Sequence, residues 1–529
     1  MDVISLAELR CMATPTSGGR SRSSLFGGLL AESGPEGLSM FRFPGRAGRG
    51  RRAESLETRK TFSYEMVRFG VSFRPRLPRP HGQGDASAGE ADRPRRELTL
   101  IAAAACIFLV QLDFYALNLA LPAMAAELGT TTTDLHWVVS GYILAQAAFL
   151  IPGGKLGDIL GRRRMLLVGL LIFGAASLGA GLGSDPPIVI AFRAVQGMGS
   201  GIVFPLAFAV ITEAYPGKRA KRAIGNAYGI GAVALALGPV LGGGVTEWLS
   251  WRSVLLVNVP LCVVAIVAIV AWLPESRDPT VSRAIDLAGL VVVVLGILAI
   301  TVAADRMNAW RPVVATALAV GGLVLLAAFV LRERAAESPL VRLDLFHDAR
   351  FVAVTLMGLV ANIAFVVTIF ATTIHLQQVR GYSPFVAGLA VLAASISGGI
   401  AGPFAGRLSQ RVAVRRLIAA ATLVGAVGLV VVAIGGEIVP YLIGLAVAGF
   451  GYRTGLTLTN LGTQAMVPAE RAGEASGTTL SILSAGSGIA IATAGTLIEQ
   501  GNLATGIMRV LLGIAAGSAV AALLLVRIP

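Results

Sequence analysis

From Leu98 onward the chain is a succession of long apolar runs separated by short polar connections. Fourteen runs can be counted: 98–122, 137–153, 165–183, 187–210, 223–246, 254–273, 285–304, 312–331, 351–376, 385–405, 417–434, 438–460, 475–497 and 503–526. Each approaches the ~20 apolar residues that carry a helix across a bilayer. Numbered in chain order, they are spans 1 to 14. The connections between them divide by charge. Those after spans 2, 4, 6, 8, 10 and 12 hold nineteen Lys and Arg: four each in 155–164, 218–222, 332–350 and 407–416, two in 277–283, and Arg471. The connections on the other side hold four: Arg252, Arg306, Arg311 and Arg380. Basic connections remain in the cytoplasm, so both termini are expected there. Trp137, Trp248, Trp251, Trp272 and Trp310 all fall at predicted span ends, where an interfacial belt belongs.

Composition supports the same class. The chain is 55% hydrophobic and only 14% charged, where soluble domains carry about 25% charge. Its 64 glycines suit close helix packing in lipid. The net charge of +14 is accounted for by the inner connections and a basic N-terminal stretch, so it does not call for nucleic acid as a partner. Cys11, Cys106 and Cys262 have neither disulfide nor metal-site spacing. Residues 1–97 differ in kind: they are rich in Arg, Gly, Pro and Ser and hold 17 basic against 11 acidic residues. With no apolar core of a signal peptide they are expected to be disordered. An Arg-rich targeting or lipid-binding role is the alternative, and Met66 offers a later start.

The chain repeats itself. "GKLGDILGRRR" from Gly154 faces "GRLSQRVAVRR" from Gly406 at an offset of 252, and "AVQGMGSG" from Ala194 faces "AVAGFGYR" from Ala446 at the same offset. Pro216 and Pro468, Arg219 and Arg471, and Gly225 and Gly477 keep that register. The fold class expected is an all-α polytopic membrane protein of two related six-helix halves, 98–273 and 351–529, joined by a linker, 274–350, with two extra spans. Parallel-related halves with a site at their interface are the layout of rocker-type secondary transporters.

Four motifs carry candidate chemistry. In "QLDFYALNLALP", Asp113 stands about fifteen residues into span 1, ~22 Å along a helix. A short carboxylate cannot snorkel from that depth, so it must face a partner or a cavity, where it could carry a proton or serve structurally. "GKLGDILGRRR" places Gly154 and Gly161 for a tight turn and close helix approach, with Asp158 able to pair with Arg162, Arg163 or Arg164 or to sit near a helix N-terminus. Its second copy carries Gln410 in place of the aspartate, so any latch built on it is asymmetric. "RAVQGMGSG" puts Arg193 just inside span 4, where it either engages a carboxylate or snorkels to the outer interface. "ALGPVLGGG" breaks the helical ladder of span 5 at Gly238-Pro239 and offers a smooth face at Gly242 and Gly243.

These stretches resemble the major facilitator superfamily, and within it the fourteen-span drug:proton antiporters. The resemblance covers about 98–529 and is strongest in 111–260; "WVVSGYILA" from Trp137, "WR" at 251–252 and "NVP" at 258–260 add to it. Tyr115 replaces a usual Thr, Leu117 a usual Val, and Ala234 a usual Gly. The resemblance implies a proton-coupled exporter of small amphipathic compounds, cationic or neutral, with Asp113 and Arg193 in proton coupling, the 154–164 loop as a cytoplasmic latch, and the span-5 motif as the mark of an antiporter. It implies no cofactor and no metal, the proton gradient supplying the energy. Expected partners are a small-molecule substrate, protons and the lipid bilayer, with a monomeric functional unit. Phe114, Tyr115, Asn118, Tyr142, Gln146, Asn362 and Arg453 are pocket candidates. Arg453 lies deep in span 12 and requires a counter-charge, an anionic substrate group or water. An exporter dedicated to one metabolite, antibiotic or lipid-like molecule is the alternative; a non-transporting receptor would have no need of Asp113. Without a Walker loop, zinc spacing or nucleophile motif, nothing points to an enzyme or an ATP-driven pump.

Overall fold

The computed structural model describes residues 93–525, apart from 133, 216–217, 278–285, 308–309, 337–338, 342, 410, 468–471 and 499–501. The expectation of disorder for the N-terminal stretch, the substitution Gln410, and Pro216, Pro468 and Arg471 of the repeat therefore lie outside the described residues. Among those described, every regular element is helical. Span 1 runs from Arg93 to Ala116, tightens into a 3-10 turn at Leu117–Ala120 and ends as Leu121–Glu127. Spans 2 to 5 are His136–Leu160, Arg162–Leu182, Pro186–Ala214 and Lys218–Trp248. Span 6 is broken into Trp251–Leu256 and Asn258–Trp272. The extra hairpin is Leu287–Asp305 and Pro312–Ala335, spans 7 and 8. Spans 9 to 14 are Ala349–Ile374 (continued by a π turn, His375–Val379), Pro384–Leu408, Val414–Ile434, Ile438–Ala465, Ala472–Ile498 and Leu503–Leu525.

Thirteen of these are long and apolar enough to cross a membrane. The other, span 12, is 28 residues long and is set apart by polar content, Arg453 above all, rather than by length. The helices overrun the apolar runs. Span 2 continues through Lys155 and Asp158 to Leu160 and stops at Gly161, whose φ of +118° favours glycine. The two internal breaks follow prolines. Pro122 and Pro260 have no N–H to give to the preceding turn, and the breaks at Leu117–Ala120 and Val257 fall just before them.

The 252-residue repeat is a repeat of contacts. In the first half span 4 packs on spans 1, 2 and 3, span 5 on span 1, and span 6 on spans 1 and 3. In the second, span 12 packs on spans 9, 10 and 11, span 13 on span 9, and span 14 on spans 9 and 11. Individual atoms keep the register. A Cβ on Gly197 would lie 2.3 Å from the Tyr142 carbonyl oxygen; on Gly449 it would lie 2.3 Å from that of Ala394. A Cβ on Gly199 would lie 2.7 Å from the Phe173 nitrogen, and one on Gly451 2.3 Å from the Gly425 nitrogen. These glycines let the backbones of spans 2, 3 and 4, and of 10, 11 and 12, touch. The halves meet along two seams, span 5 against span 10 and span 2 against span 13, which the repeat interchanges. Span 7 packs on spans 2 and 13 and so lies along the second seam.

Candidate functional site

Asp113 is held in a closed polar cluster inside the first half. Its Oδ2 accepts from Arg193 at 2.8 Å, and its Oδ1 from Gln196 at 3.1 Å and Asn258 at 2.7 Å. Gln196 and Asn258 also donate to Ser177, which donates to the Leu255 carbonyl. Arg193 donates further to the Val138 carbonyl and to Gln196, and its guanidinium lies 4.2 Å over the ring of Tyr142. The Arg193 and Asp113 side chains are 1% and 0% exposed. Arg193 therefore turns inward to the carboxylate and does not snorkel. The break in span 6 has a use here: it brings Asn258 to the first residue of the inner helix, facing Asp113. The carboxylate thus has one cation and two amide donors to its two oxygens.

Next to this cluster, aromatic rings reach toward the second half. Phe114 packs edge-on to Tyr115 at 4.7 Å and lies 6.3 Å from Tyr142. Tyr115 meets Phe365 of span 9 at 6.5 Å, and Arg453 lies 5.3 Å over the Phe365 ring. Of the pocket candidates, Phe114, Tyr115, Tyr142 and Arg453 are thus brought together. The other three brace helices: Asn118 donates from the 3-10 turn back to the Phe114 carbonyl of the preceding helix, Gln146 to Ser200, and Asn362 to Ser487 at 2.8 Å, tying span 9 to span 13. The span-5 motif stands at the same interface. Cβ atoms on Gly238 and Gly242 would meet Tyr115 Cβ at 2.7 Å and the Ala116 oxygen at 2.1 Å, while one on Gly243 would meet the Pro384 oxygen of span 10 at 2.2 Å. The Pro239 carbonyl lies 2.4 Å from where a Cβ on Gly388 would stand.

The loop after span 2 is a network of ions. Arg162 pairs with Asp158 and with Glu213, each at 2.9 Å. Arg163 donates to the Val270 carbonyl, and Arg164 pairs with Glu275 at 3.3 Å. These partners belong to the first half or, for Glu275, to the start of the linker, so among the described residues the loop braces spans 2, 3, 4 and 6 and joins no residue of the second half. Gly154 needs correction as a close-approach glycine: a Cβ there would meet only Pro205, at an ordinary 3.8 Å, whereas Gly153 would meet Ile202 Cα at 2.7 Å. Span 2 carries the contact one residue earlier than the motif suggests. In the hairpin, Asp286 receives a paired hydrogen bond from Arg332 and caps span 7 through the Gly289 amide. Arg332 holds its carboxyl below the ordinary 3.8.

Sequence reasoning assigned no role to Gln196, Asn258 or Ser177. Gln196 and Asn258 lie within the quoted "RAVQGMGSG" and "NVP" stretches. A buried carboxylate needs donors, so these amides were the signal available; Ser177 has none in its surroundings.

The family model described as Major Facilitator Superfamily matches residues 103–491 and again 354–529. The chain is 32% identical over 417 residues to the multidrug resistance protein Stp of Mycobacterium tuberculosis (strain CDC 1551 / Oshkosh), covering 77% of each. It is 36% identical over 356 residues to the cephamycin export protein CmcT of Amycolatopsis lactamdurans, covering 65% of this chain and 73% of that one. It is 35% identical over 318 residues to the drug efflux pump JefA of Mycobacterium tuberculosis (strain CDC 1551 / Oshkosh), covering 59% and 62%. Among solved structures, a POT family transporter in complex with 5-aminolevulinic acid superposes with a TM-score of 0.60 over 80% of this chain and 94% of that one, at 12% identity, a likeness of fold alone.

Proposed function

The chain belongs to the Major Facilitator Superfamily, and on that premise we propose that it is an efflux transporter that exchanges protons for small amphipathic drugs or toxic compounds across the cytoplasmic membrane. It is a multi-pass membrane protein and a transporter of small molecules, not an enzyme. The observation that carries proton coupling is the buried Asp113–Arg193 pair with its amide donors. In the state open to the outside Asp113 takes a proton and substrate leaves. In the state open to the cytoplasm the proton departs and substrate binds again. Arg193 retains the Val138 carbonyl, Gln196 and the Tyr142 face when its pair is discharged, so the cluster can pass between charge states without leaving a bare guanidinium.

Contacts between the halves near the outer ends support reading this conformation as closed to the outside. Gln377 donates to the Leu119 carbonyl, Gln378 to Thr132, and Glu247 accepts from the Phe385 amide. On the opposite conformation we place the latch role of Asp158 and its arginines, across the cytoplasmic side. Both termini are cytoplasmic and the single chain is the working unit in this reading, and the energy comes from the proton gradient without a cofactor. A dedicated exporter of one antibiotic is the second reading, favoured by the relative named for cephamycin export.

The test is Asp113→Asn in everted membrane vesicles. Wild type is expected to extrude a dye when a pH gradient is imposed, and the variant to lose that drive. Unchanged gradient-dependent transport by the variant would remove Asp113 from the mechanism.

A further inference from the structure

At one pair of facing positions the repeat exchanges a small residue for a large one. In the first half, Gln146 of span 2 faces Gly201 of span 4, where a Cβ would lie 2.6 Å from the Gln146 carbonyl oxygen. The residues 252 further on are Gly398 of span 10 and Arg453 of span 12, and here the sizes are exchanged. A Cβ on Gly398 would lie 2.8 Å from Arg453 Cγ, so the glycine is the groove along which the arginine stem runs. The guanidinium ends over the Phe365 ring, which meets the ring of Tyr115 of span 1, at the interface of the halves.

Charge makes this arrangement unusual. Phe365 is the counterpart of Asp113 in the repeat, so the position that neutralises an arginine in the first half carries a ring in the second. Asp113 is already matched by Arg193. No carboxylate pairs with Arg453 among the described residues. Arg453 is half-buried. An arginine at this depth without a counter-ion is expensive and marks a pathway or a ligand.

We infer that Arg453 is the recognition site for an anionic group of the exported compound, a carboxylate or similar acidic oxygen, with the rings of Tyr115 and Phe365 taking the apolar body beside it. The inference rests on the efflux reading and narrows it, away from a cationic or neutral cargo. A planar guanidinium binds a carboxylate through two parallel hydrogen bonds. Aromatic faces supply apolar contact without adding charge of their own.

The experiment uses the full chain in detergent micelles and three fluorescent ligands with one body: dansylglycine (anionic), its primary amide (neutral) and dansyl-ethylenediamine (cationic). Wild type should bind the anion about tenfold or more tightly than either of the others, as expected for a charge-assisted pair. Arg453→Gln should abolish that preference, while Arg453→Lys, which keeps the charge but not the planar fork, should retain only part of it. Equal or weaker binding of the anion by wild type overturns the inference, and so does a preference that survives in Arg453→Gln. The wild-type ligand series decides even where the variant does not fold. Extrusion from vesicles is read separately: failure to extrude any of the three with the preference intact defeats the exporter reading alone, whereas extrusion without preference defeats the anion site alone.

Discussion

Replacing Arg193 by Gln tests whether the central cluster is an ion pair in more than appearance. The arginine makes four contacts there: the Asp113 carboxylate, the Val138 carbonyl, the Gln196 amide oxygen and the Tyr142 ring. Without it Asp113 keeps the two amide donors, Gln196 and Asn258, but loses its only cation, at 0% exposure. Breaking a buried pair by removing one partner costs about 3–5 kcal/mol, because the remaining charge is stranded. Removing both charges is cheaper. The double variant Asp113→Asn, Arg193→Gln puts neutral amides among neutral amides, and about 2 kcal/mol or more of the loss should return. The measurement is a double-mutant cycle on reversible unfolding in mixed micelles, followed by tryptophan fluorescence. Energies that add within about 0.5 kcal/mol would refute the pairing argument.

Three further outcomes follow from other parts of the molecule. Gly451→Ala places a methyl 2.3 Å from the Gly425 nitrogen, a backbone atom that cannot step aside, so the melting temperature should fall sharply; Gly141→Ala, with nothing within 4 Å, should leave it within a degree or two. Asp286→Ala removes the cap of span 7 and should cost about 1 kcal/mol in the same unfolding assay at pH 7. Because the Arg332 hydrogen bond depresses the Asp286 carboxyl below 3.8, its contribution is complete above that value and is lost as pH falls through the folded value, so the gap between wild type and variant should close only in strong acid. Asp158→Ala should slow dye efflux several-fold with little change in substrate binding, since Arg162 keeps Glu213 as a partner in the conformation described here; undiminished turnover would show that the loop is only a brace.

The architecture was legible because a bilayer imposes a length and a charge asymmetry that a sequence must display. The run lengths and the 252-residue offset led to fourteen helices and two halves, and the contacts at Gly197 and Gly449 obey the same offset. Helix ends were less legible. Hydropathy measures the thickness of the lipid, whereas the helices of spans 2 and 4 run on into water as far as Leu160 and Ala214 under their own hydrogen bonds. For the site, the distinction is between residues announced by their cost and residues whose role depends on where they meet. An aspartate or arginine in hydrocarbon declares itself, and Asp113, Arg193 and Arg453 did so. Ser177, Gln196 and Asn258 are inexpensive enough in a helix to pass unnoticed, and only the fold brings spans 3, 4 and 6 to one carboxylate. Arg453 combines both cases. Its cost was plain from the sequence, but that the repeat exchanged Gln146–Gly201 for Gly398–Arg453, and set Phe365 where a counter-charge would stand, emerges when the two halves are compared atom by atom. A charge that stands in one half where the other has a glycine, and that has no carboxylate partner among the described residues, is an asymmetry the fold does not need for stability, and that is the reason for assigning it to the cargo.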